Sequence, residues 1–583
     1  MKNSVAIAIF SFLKQETKLK INAIKFYYNF VKEFSILRFL CYLIDNSIIP
    51  NRDKSFRSYI LKNTQKWKFR REAVNKNANK YILITNVFDH VGYMSAEILI
   101  GKNLMEIFNS NGIALLNNYN LINILLYKSF GIKKIIILGN SNIFARLMYF
   151  IKAYLIIRSF KNMDEFLKFN INNVEIGKAV YDHYLRFSGV GTTNEFKREF
   201  YTYLSKCLLV YYQINKYLKK YNIIASVQSE KQFIPGSIIF QSALINGANV
   251  YSRSGPHNKF TVKKYSNINE RYTHRDRFSK KLIDLVVKNI SKEDIEIGGE
   301  VVKKRFVGVS GYQVAAEFYL LPGFAKGKKT GKNDKKNISK EDLGKRLGWS
   351  LDSPIGVIFS SDLTDGVFDG TWALFRDRLT WLRESLHEIK KINNMNWLVK
   401  PHPNDEIHNV ITSTLSECEK ICSNHDHVKI FPDDIAIGSI PKIIDVAVTQ
   451  CGSAASEYPC FGIPTIIAGE TICSGLGYTI EPQSKEEYFF QLQNAKKLEK
   501  LNNHQIELAK TCIFIRDYLT QIPTNIQDCG ETKYIDERIF WTGMIKLLDQ
   551  CKYEEDLLIK MMKIQEANND IHTIDYRVLE KRN

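Results

Sequence analysis

From residue 80 onward, short apolar runs alternate with polar turns and with stretches of mixed polar and apolar residues. Runs of four to eight apolar residues are typical of buried parallel strands, and apolar spacings of three and four are typical of helices. The alternation therefore predicts repeated βα units and parallel sheets. The predicted strands are 81–87, 113–117, 133–139, 223–230, 249–255, 355–361, 397–400, 427–434, 446–449 and 464–468.

Amphipathic stretches between these strands predict the helices that cover the sheets. A Ser-Ala-Glu start signal places the beginning of the first of them at Ser95. The main predicted helices are 95–109, 174–189, 195–221, 369–392 and 485–501, followed by terminal helices to about residue 566.

The chain has 583 residues and is too long for a single hydrophobic core. Residues 323–340 are rich in Gly and Lys and lack apolar periodicity, which indicates a linker or an exposed loop. We therefore predict an α/β protein with two Rossmann-like domains and extra helical parts at both ends. The predicted divisions are a basic amphipathic helical segment at 1–75, an N-terminal Rossmann-like domain at 76–322, a linker at 323–345, a C-terminal Rossmann-like domain at 346–530, and helices with a tail at 531–583.

The net charge of +21 is unevenly distributed along the chain. Residues 1–80 hold 17 Lys/Arg against 5 Asp/Glu, a difference of +12, interleaved with aromatic residues such as Phe26 and Tyr27. Uniform basicity would indicate nucleic acid, whereas a basic aromatic beginning indicates an anionic membrane surface. A helical layer packed on the protein body is the alternative. We predict no nucleic-acid partner.

Ten cysteines are scattered without the spacing of a disulfide framework, and the opening residues lack the cleavage site of a signal peptide. No apolar run reaches the roughly 18 residues of a membrane-spanning helix. These features predict a cytoplasmic protein with free thiols. Cys418, Cys422, His425 and His427 bring four possible zinc ligands within ten residues, but their spacing departs from that of a zinc finger. No metal site and no cofactor are predicted.

Candidate binding residues cluster where predicted strands of the second domain end, the edge at which open parallel sheets bind ligands. His402 follows the strand 397–400 between two prolines, with Lys400 and Asn404 beside it, and Ser360 closes the strand 355–361. A histidine held at this edge can donate to a phosphate or protonate a leaving phosphate.

The strand 446–449 leads into a second group of candidates. Gly452 and Ser453 open a helix whose first turn holds Ser456 and Glu457. Free amides at a helix start favour an anion, and an acidic residue there can accept from ribose hydroxyls. Together the two groups predict a site for a nucleotide phosphate.

The motifs KPHPN (400–404), DVAVTQCGSAASEYPCFGIP (445–464) and GETICSGLGYT (469–479) resemble the capsular polysaccharide biosynthesis glycosyltransferases of the GT-B fold. That group includes bacterial Kdo transferases, and a similar His-Pro motif occurs in bacterial sialyltransferases, which use CMP-sugars. The resemblance is firm over about 345–490, weaker over 80–260 and absent from the first 75 residues. It implies a GT-B-like fold with two domains facing a cleft, metal-independent catalysis and nucleotide contacts at His402, Ser453, Ser456 and Glu457.

Members of this group often carry an acidic catalytic residue early in the N-terminal domain. The motifs quoted above do not identify the corresponding residue of this chain. Asp89, in the loop after the strand 81–87, is the best placed candidate for a general base, with His402 as the second catalytic candidate. Asp182 and Glu230 are rivals for the base, and a turn-forming role for Asp89 is the alternative.

The resemblance and the site residues predict a glycosyltransferase on the inner face of the cell membrane. Its substrate would be a nucleotide-sugar, with a CMP-sugar favoured, and its acceptor a surface or capsular polysaccharide or a lipid-linked glycan. A CDP-polyol phosphotransferase of the teichoic-acid type is one alternative. A noncatalytic capsule-assembly protein that binds a nucleotide is the other.

Overall fold

The framework of the first domain is a mixed β-sheet. The structure is a computed structural model, and it describes residues 54–68, 79–87, 91–118, 120–138, 143–255, 258–306, 336–350, 352–402, 405, 410–526 and 537–580. Its strands are β1 (Tyr81–Asn86), β2 (Asn111–Leu116), β3 (Lys134–Ile137), β4 (Ile223–Val227), β5 (Asn249–Ser254), β6 (Lys259–Tyr265) and β12 (Ile522–Pro523). The order is β12-β6-β5-β4-β1-β2-β3. Strands β3, β2, β1, β4 and β5 are parallel, whereas β6 and β12 are antiparallel to their neighbours.

The second domain is built on a fully parallel sheet. Its strands are β7 (Ile355–Phe359), β8 (Asn396–Lys400), β9 (Val428–Ile430), β10 (Val446–Thr449) and β11 (Thr465–Ile467), in the order β11-β10-β7-β8-β9. Strand β7 therefore lies between β10 and β8. The loops that follow these three strands share one edge of the sheet.

Helices occupy most of the connections between the strands. They are α1 (Lys54–Lys68), α2 (Val91–Ile107), α3 (Leu121–Ser129), α4 (Ile143–Arg158), α5 (Met163–Leu167), α6 (Ile176–Ser188), α7 (Arg198–Lys220), α8 (Gly236–Ile245), α9 (Lys280–Asn289), α10 (Lys292–Phe306), α11 (Lys340–Leu347), α12 (Arg378–Ile389), α13 (Thr414–Cys422), α14 (Ile440–Ile443), α15 (Ala454–Glu457), α16 (Lys485–Gln493), α17 (Asn503–Phe514), α18 (Glu537–Gln550), α19 (Leu557–Asn568) and α20 (Tyr576–Glu580).

Both faces of the central strands are buried, which explains why these strands are apolar throughout. In β1, Ile82 and Ile84 pack into one hydrophobic cluster and Leu83 into another, and all three side chains are fully buried. In β7, Val357 and Ile358 likewise pack into two different hydrophobic clusters. Strands covered by helices on both sides lose the alternation of polar and apolar residues.

The predicted α/β class is confirmed: the chain has two Rossmann-like sheets covered by helices, with further helices at both ends of the described residues. The predicted domain limits stay predictions, although β12, inside the predicted range 346–530, pairs with β6 of the first sheet. Strand β6 and the two-residue strand β12 were absent from the prediction because their sequences lack a continuous apolar run.

Two predicted helix starts are wrong. Helix α2 begins at Val91, so Ser95 lies inside the helix and bonds back to the Val91 carbonyl at 2.7 Å. Helix α12 begins at Arg378, where Asp377 caps it by accepting from Thr380 N–H at 2.8 Å. Residues 369–377 form a loop instead of the predicted helix, because their polar groups find partners in both domains: Asp369 pairs with Lys231, and the Thr371 N–H donates to Glu470.

Helix α1 belongs to the segment predicted to be basic and amphipathic, and it packs against α18 near the C-terminal end of the chain. Tyr59 and Phe56 have ring centroids 5.0 and 4.8 Å from Trp541. The rest of that segment, including Phe26 and Tyr27, lies outside the described residues. Among the residues that the structure does describe, no helix is long and apolar enough to cross a membrane.

Truncation of Trp541 tests this packing. Its side chain is buried against two aromatic rings, so Trp541→Ala is expected to destabilise the protein by about 3–5 kcal/mol. Ile539→Ala is the matched control on the same helix, because Ile539 is exposed, and its effect should stay within about 0.5 kcal/mol. Urea denaturation measures both changes. Equal midpoints for the two variants would contradict the packing of α1 on α18.

Candidate functional site

The turn after β10 forms one part of the carboxyl edge of the second sheet. Gly452 donates its N–H to Thr449 Oγ1 at 3.2 Å, and a Cβ at position 452 would lie 2.9 Å from that oxygen. This close approach explains the glycine. Ser453, the next residue, is exposed and makes no capping hydrogen bond through its side chain. Its hydroxyl is therefore accessible at the edge where a ligand is predicted.

Ser360 and Lys400 meet at the same edge, where β7 and β8 end. The Ser360 N–H donates to the Lys400 carbonyl at 3.0 Å, and the Ser360 hydroxyl accepts from Thr414 Oγ1 at 2.8 Å. Ser360 is buried, so it positions the loop rather than offering its hydroxyl to solvent. His402 is half-buried two residues beyond β8. Asn404 lies outside the described residues.

Ser456 and Glu457 point away from the edge into a buried polar network. The Ser456 hydroxyl donates to the Ser453 carbonyl at 2.9 Å and accepts from Arg516 Nη1 at 3.2 Å. Glu457 pairs with Arg305, whose guanidinium also lies 3.4 Å from Asp517. In this structure the two residues hold the turn in place. Their direct contact with a nucleotide stays a prediction.

A cavity of about 340 Å³ lies between the two domains, next to the turn after β10. Gln450 lines it with a side chain that is 2% exposed, and its Oε1 has no hydrogen-bond partner among the described residues. A buried carbonyl oxygen without a partner is costly, so a donor from an ordered water or a ligand is expected there. The other lining residues come from both domains: Leu167, Lys178, Tyr272, Val367, Phe368, Asp369, Gly370, Thr371, Trp372, Ala373, Phe375, Arg376, Cys451, Gly469 and Glu470.

The loop between β7 and α12 carries much of this wall and is anchored in the first domain. Asp369 Oδ1 lies 2.9 Å from Lys231 Nζ, and its Oδ2 lies 3.4 Å from His274 Nε2. Burial on its own would raise the pKa of Asp369, but the Lys231 ammonium and His274 together hold it well below its usual range. Asp369 is therefore a charged anchor between the domains.

Two of the predicted candidates for a general base are linked to the loop that lines the cavity. Glu230 is partly exposed three residues beyond β4, and burial raises its pKa to about 7 against the opposing effect of Arg275. Its neighbour Lys231 contacts Asp369 in the cavity wall. A carboxylate with a pKa near neutrality can accept a proton at physiological pH.

Asp182 has a different environment from Glu230. Its side chain is buried and accepts from the Val367 N–H at 3.0 Å, and burial raises its pKa to about 8. It supports the wall of the cavity. Asp89 lies outside the described residues, so its catalytic role stays a prediction.

The pattern of the sequence missed two buried polar residues, one of which lines the cavity. Glu97 is buried in α2, accepts from Ser229 N–H at 2.7 Å and has its pKa raised to about 8 by burial. It was part of the supposed helix start signal. Gln450, which lines the cavity, lies two residues before Gly452, and that proximity is the one signal that could have identified it.

The cysteines and histidines considered as zinc ligands lie in the second domain. Cys418 and Cys422 are buried in its hydrophobic core, and His427 Nε2 lies 3.2 Å from the Ile389 carbonyl oxygen. In the part of the chain that the structure describes, no three His, Cys, Asp or Glu side chains form a group that could hold a metal ion.

No protein-family model matches this sequence, and neither does any curated protein. Among solved structures, the chain is similar to KpsC from Thermosulfurimonas dismutans, a beta Kdo 2,7 transferase, with 12% identity and a TM-score of 0.28 over 58% of this chain and 89% of that one. It is also similar to S. aureus MnaA in complex with UDP, with 11% identity and a TM-score of 0.24 over 74% and 92% of the two chains. A glycosyltransferase from Rickettsia africae has 10% identity and a TM-score of 0.22 over 81% and 98%.

Kdo transferases, which the group resembled by the sequence motifs includes, are thus among the structures that this chain is similar to. At these identities and TM-scores, the likeness carries no argument about substrate or residue roles. The functional assignment therefore rests on the geometry of the site.

The raised pKa of Asp182 predicts how stability depends on pH. A carboxyl whose folded pKa is raised stabilises the fold at low pH and loses that contribution as pH rises through the folded value. The loss from Asp182 should therefore extend from its ordinary 3.8 to about 8. Asp182→Asn keeps an acceptor for Val367 N–H, and its stability relative to wild type should increase over that range.

Denaturation midpoints across the pH series measure this difference. Asp426→Asn is the control, because Asp426 is fully exposed. A constant difference between wild type and Asp182→Asn at every pH would show that Asp182 is not a buried acid of raised pKa.

Proposed function

We propose that the protein is a glycosyltransferase that moves a sugar from a nucleotide-activated donor to a glycan acceptor. The observation that carries this proposal is the cavity between the two sheets. It is lined by the buried oxygen of Gln450, which has no partner among the described residues, and by Asp369, whose carboxylate pairs with Lys231, the residue after Glu230. Open parallel sheets bind ligands at this edge, and a transferase needs both a donor site and a base.

The donor binds at the carboxyl edge of the second sheet in this proposal. Ser453, exposed at the turn after β10, donates to a phosphate, and His402 after β8 provides a second, charge-assisted contact. Gln450 accepts from the sugar or from the base of the nucleotide. A CMP-linked sugar is the favoured donor because of the sequence resemblance.

The acceptor enters from the first domain, where Glu230 removes the proton of the attacking hydroxyl. Its partial exposure and its pKa of about 7 support this role over the buried Asp182. The acceptor is a surface or capsular polysaccharide or its lipid-linked precursor, met at the inner face of the cell membrane. The basic segment 1–75 is one candidate contact with that membrane.

The first test of the donor site is nucleotide binding. Thermal shifts with CMP, CDP, UDP and GDP identify the nucleotide, since a ligand stabilises in proportion to its occupancy. His402→Ala and Ser453→Ala should each weaken binding of that nucleotide by about 1.5–3 kcal/mol, the usual loss for a hydrogen bond to a charged group. Titration calorimetry measures the change. The control is His504→Ala, because His504 is exposed on α17 of the same domain.

Equal affinities for wild type and for both site variants would overturn the donor site. Binding without transfer of labelled sugar to any acceptor would favour the noncatalytic alternative. Transfer of a polyol phosphate from a CDP-linked donor would favour the phosphotransferase.

The second test addresses the general base. Turnover of the wild-type enzyme should rise with pH through about 7, because Glu230 must lose its proton before it can accept another. Glu230→Gln should lower turnover by about 10²- to 10⁴-fold, leave donor affinity unchanged and remove that rise. Asp182→Asn is the comparison. If Asp182→Asn loses the pH-dependent rise and Glu230→Gln keeps it, the base is Asp182.

A further inference from the structure

Helix α4 at the surface of the first domain carries large apolar residues on its exposed face as well as on its buried face. Its sequence, IFARLMYFIKAYLIIR, contains no acidic residue. Phe150, Ala153, Tyr154 and Ile157 are buried on the inner face. A helix that is hydrophobic all round is normally buried in a core or in a membrane. The outer face of α4 therefore needs an explanation.

The exposed residues of α4 form one stripe along the helix. Phe144 is 78% exposed, and Met148 and Leu155 are each 55% exposed. Their spacing of four and seven residues, with exposed Lys152 between them, keeps them on one side of the helix. We call Phe144, Met148, Lys152, Leu155 and Arg158 the α4 stripe.

Rigid packing below the stripe holds it in place. Tyr149 stacks on Tyr212 of α7 with ring centroids 5.5 Å apart, and Lys152 Nζ donates to the Tyr212 hydroxyl at 2.6 Å. Tyr154 packs on Tyr201 of the same helix at 5.6 Å. The α4 stripe is thus a formed surface of the first domain.

The charged residues of α4 have a single sign. The helix carries Arg146, Lys152 and Arg158 and no Asp or Glu, and the next acidic residues along the chain are Glu106 before it and Asp164 after it. An apolar stripe whose own charged residues are all basic matches the surface of an anionic bilayer, where apolar groups enter the acyl boundary and cations meet the headgroups.

We infer that the α4 stripe docks the protein on a membrane of anionic lipid. Charge complementarity favours this occupant over two others. A second copy of the chain would bring basic residues against basic residues. The opening residues 1–80 are also strongly basic, at 17 Lys/Arg against 5 Asp/Glu, and would be repelled in the same way.

The inference concerns binding alone and does not depend on sugar transfer. Vesicle binding is measured without donor or acceptor, so a failure of the proposed transfer reaction leaves it intact. Likewise, a protein that transfers sugar but ignores vesicles would overturn the docking surface while sparing the proposed function.

The experiment compares full-length variants in sedimentation with vesicles of phosphatidylcholine containing phosphatidylglycerol, at low ionic strength. Phe144→Ser/Leu155→Ser should lower the partition coefficient about tenfold or more. Lys152→Gln/Arg158→Gln should lower it about fivefold for each charge removed, and this effect should shrink as salt screens the charges. Because all four side chains are exposed, the variants should keep the wild-type thermal unfolding curve.

Matched controls lie in the second domain. Phe490→Ser/Leu415→Ser removes two exposed apolar residues, and Lys496→Gln/Lys497→Gln removes two exposed charges. Binding that is lost in both stripe variants and kept in both controls supports the inference.

Three results overturn the inference. The first is equal vesicle binding by wild type and both stripe variants, which would assign the contact to another surface such as 1–75. The second is a change from dimer to monomer in the apolar stripe variant with unchanged vesicle binding. The third is a wild-type protein that binds no vesicles.

Discussion

The ion pair between Asp369 and Lys231 is the contact on which the shape of the cleft depends. Asp369 lies on a loop of the second domain, whereas Lys231 follows β4 of the first domain. Arg378 braces the same loop from behind by donating to the carbonyls of Asp362, Asp365 and Gly366. Breaking one partner of a buried pair leaves an uncompensated charge, typically at a cost of about 3–5 kcal/mol. The position of the cavity wall therefore depends on the contact between this loop and the first domain.

Burial governs the ionisation of several carboxyl groups in the first domain. Glu97, Asp182 and Glu230 all have their pKa raised by desolvation, while Asp369 in the cavity wall remains charged because Lys231 and His274 compensate it. Asp369 is thus a charged anchor, whereas the other three carboxyls hold their protons to a higher pH than free carboxyls do. Of those three, Glu230 is the one that is partly exposed.

The strands and the edge of the second sheet were predictable because they depend on local pattern. Continuous apolar runs such as YILITN and VAVT become strands buried on both faces, and Gly452 with Ser453 marks the turn after β10. The loop before α12 was predicted as helix because its partners lie far away in the chain. Asp369 pairs with Lys231, and Asp377 accepts from the Tyr181 hydroxyl, both in the first domain. Such tertiary contacts do not produce a periodic pattern of apolar residues in the sequence.

The central claim is that a nucleotide-sugar binds at the carboxyl edge of the second sheet, facing the first domain. Hydrogen–deuterium exchange with and without saturating nucleotide tests it most directly. If the nucleotide-sugar binds there, exchange should be slower at residues 450–457, around His402 and in the loop before α12, and exchange in α7 should be unchanged. Slower exchange confined to surfaces away from these turns would contradict the account, because the ligand would then bind outside the cleft.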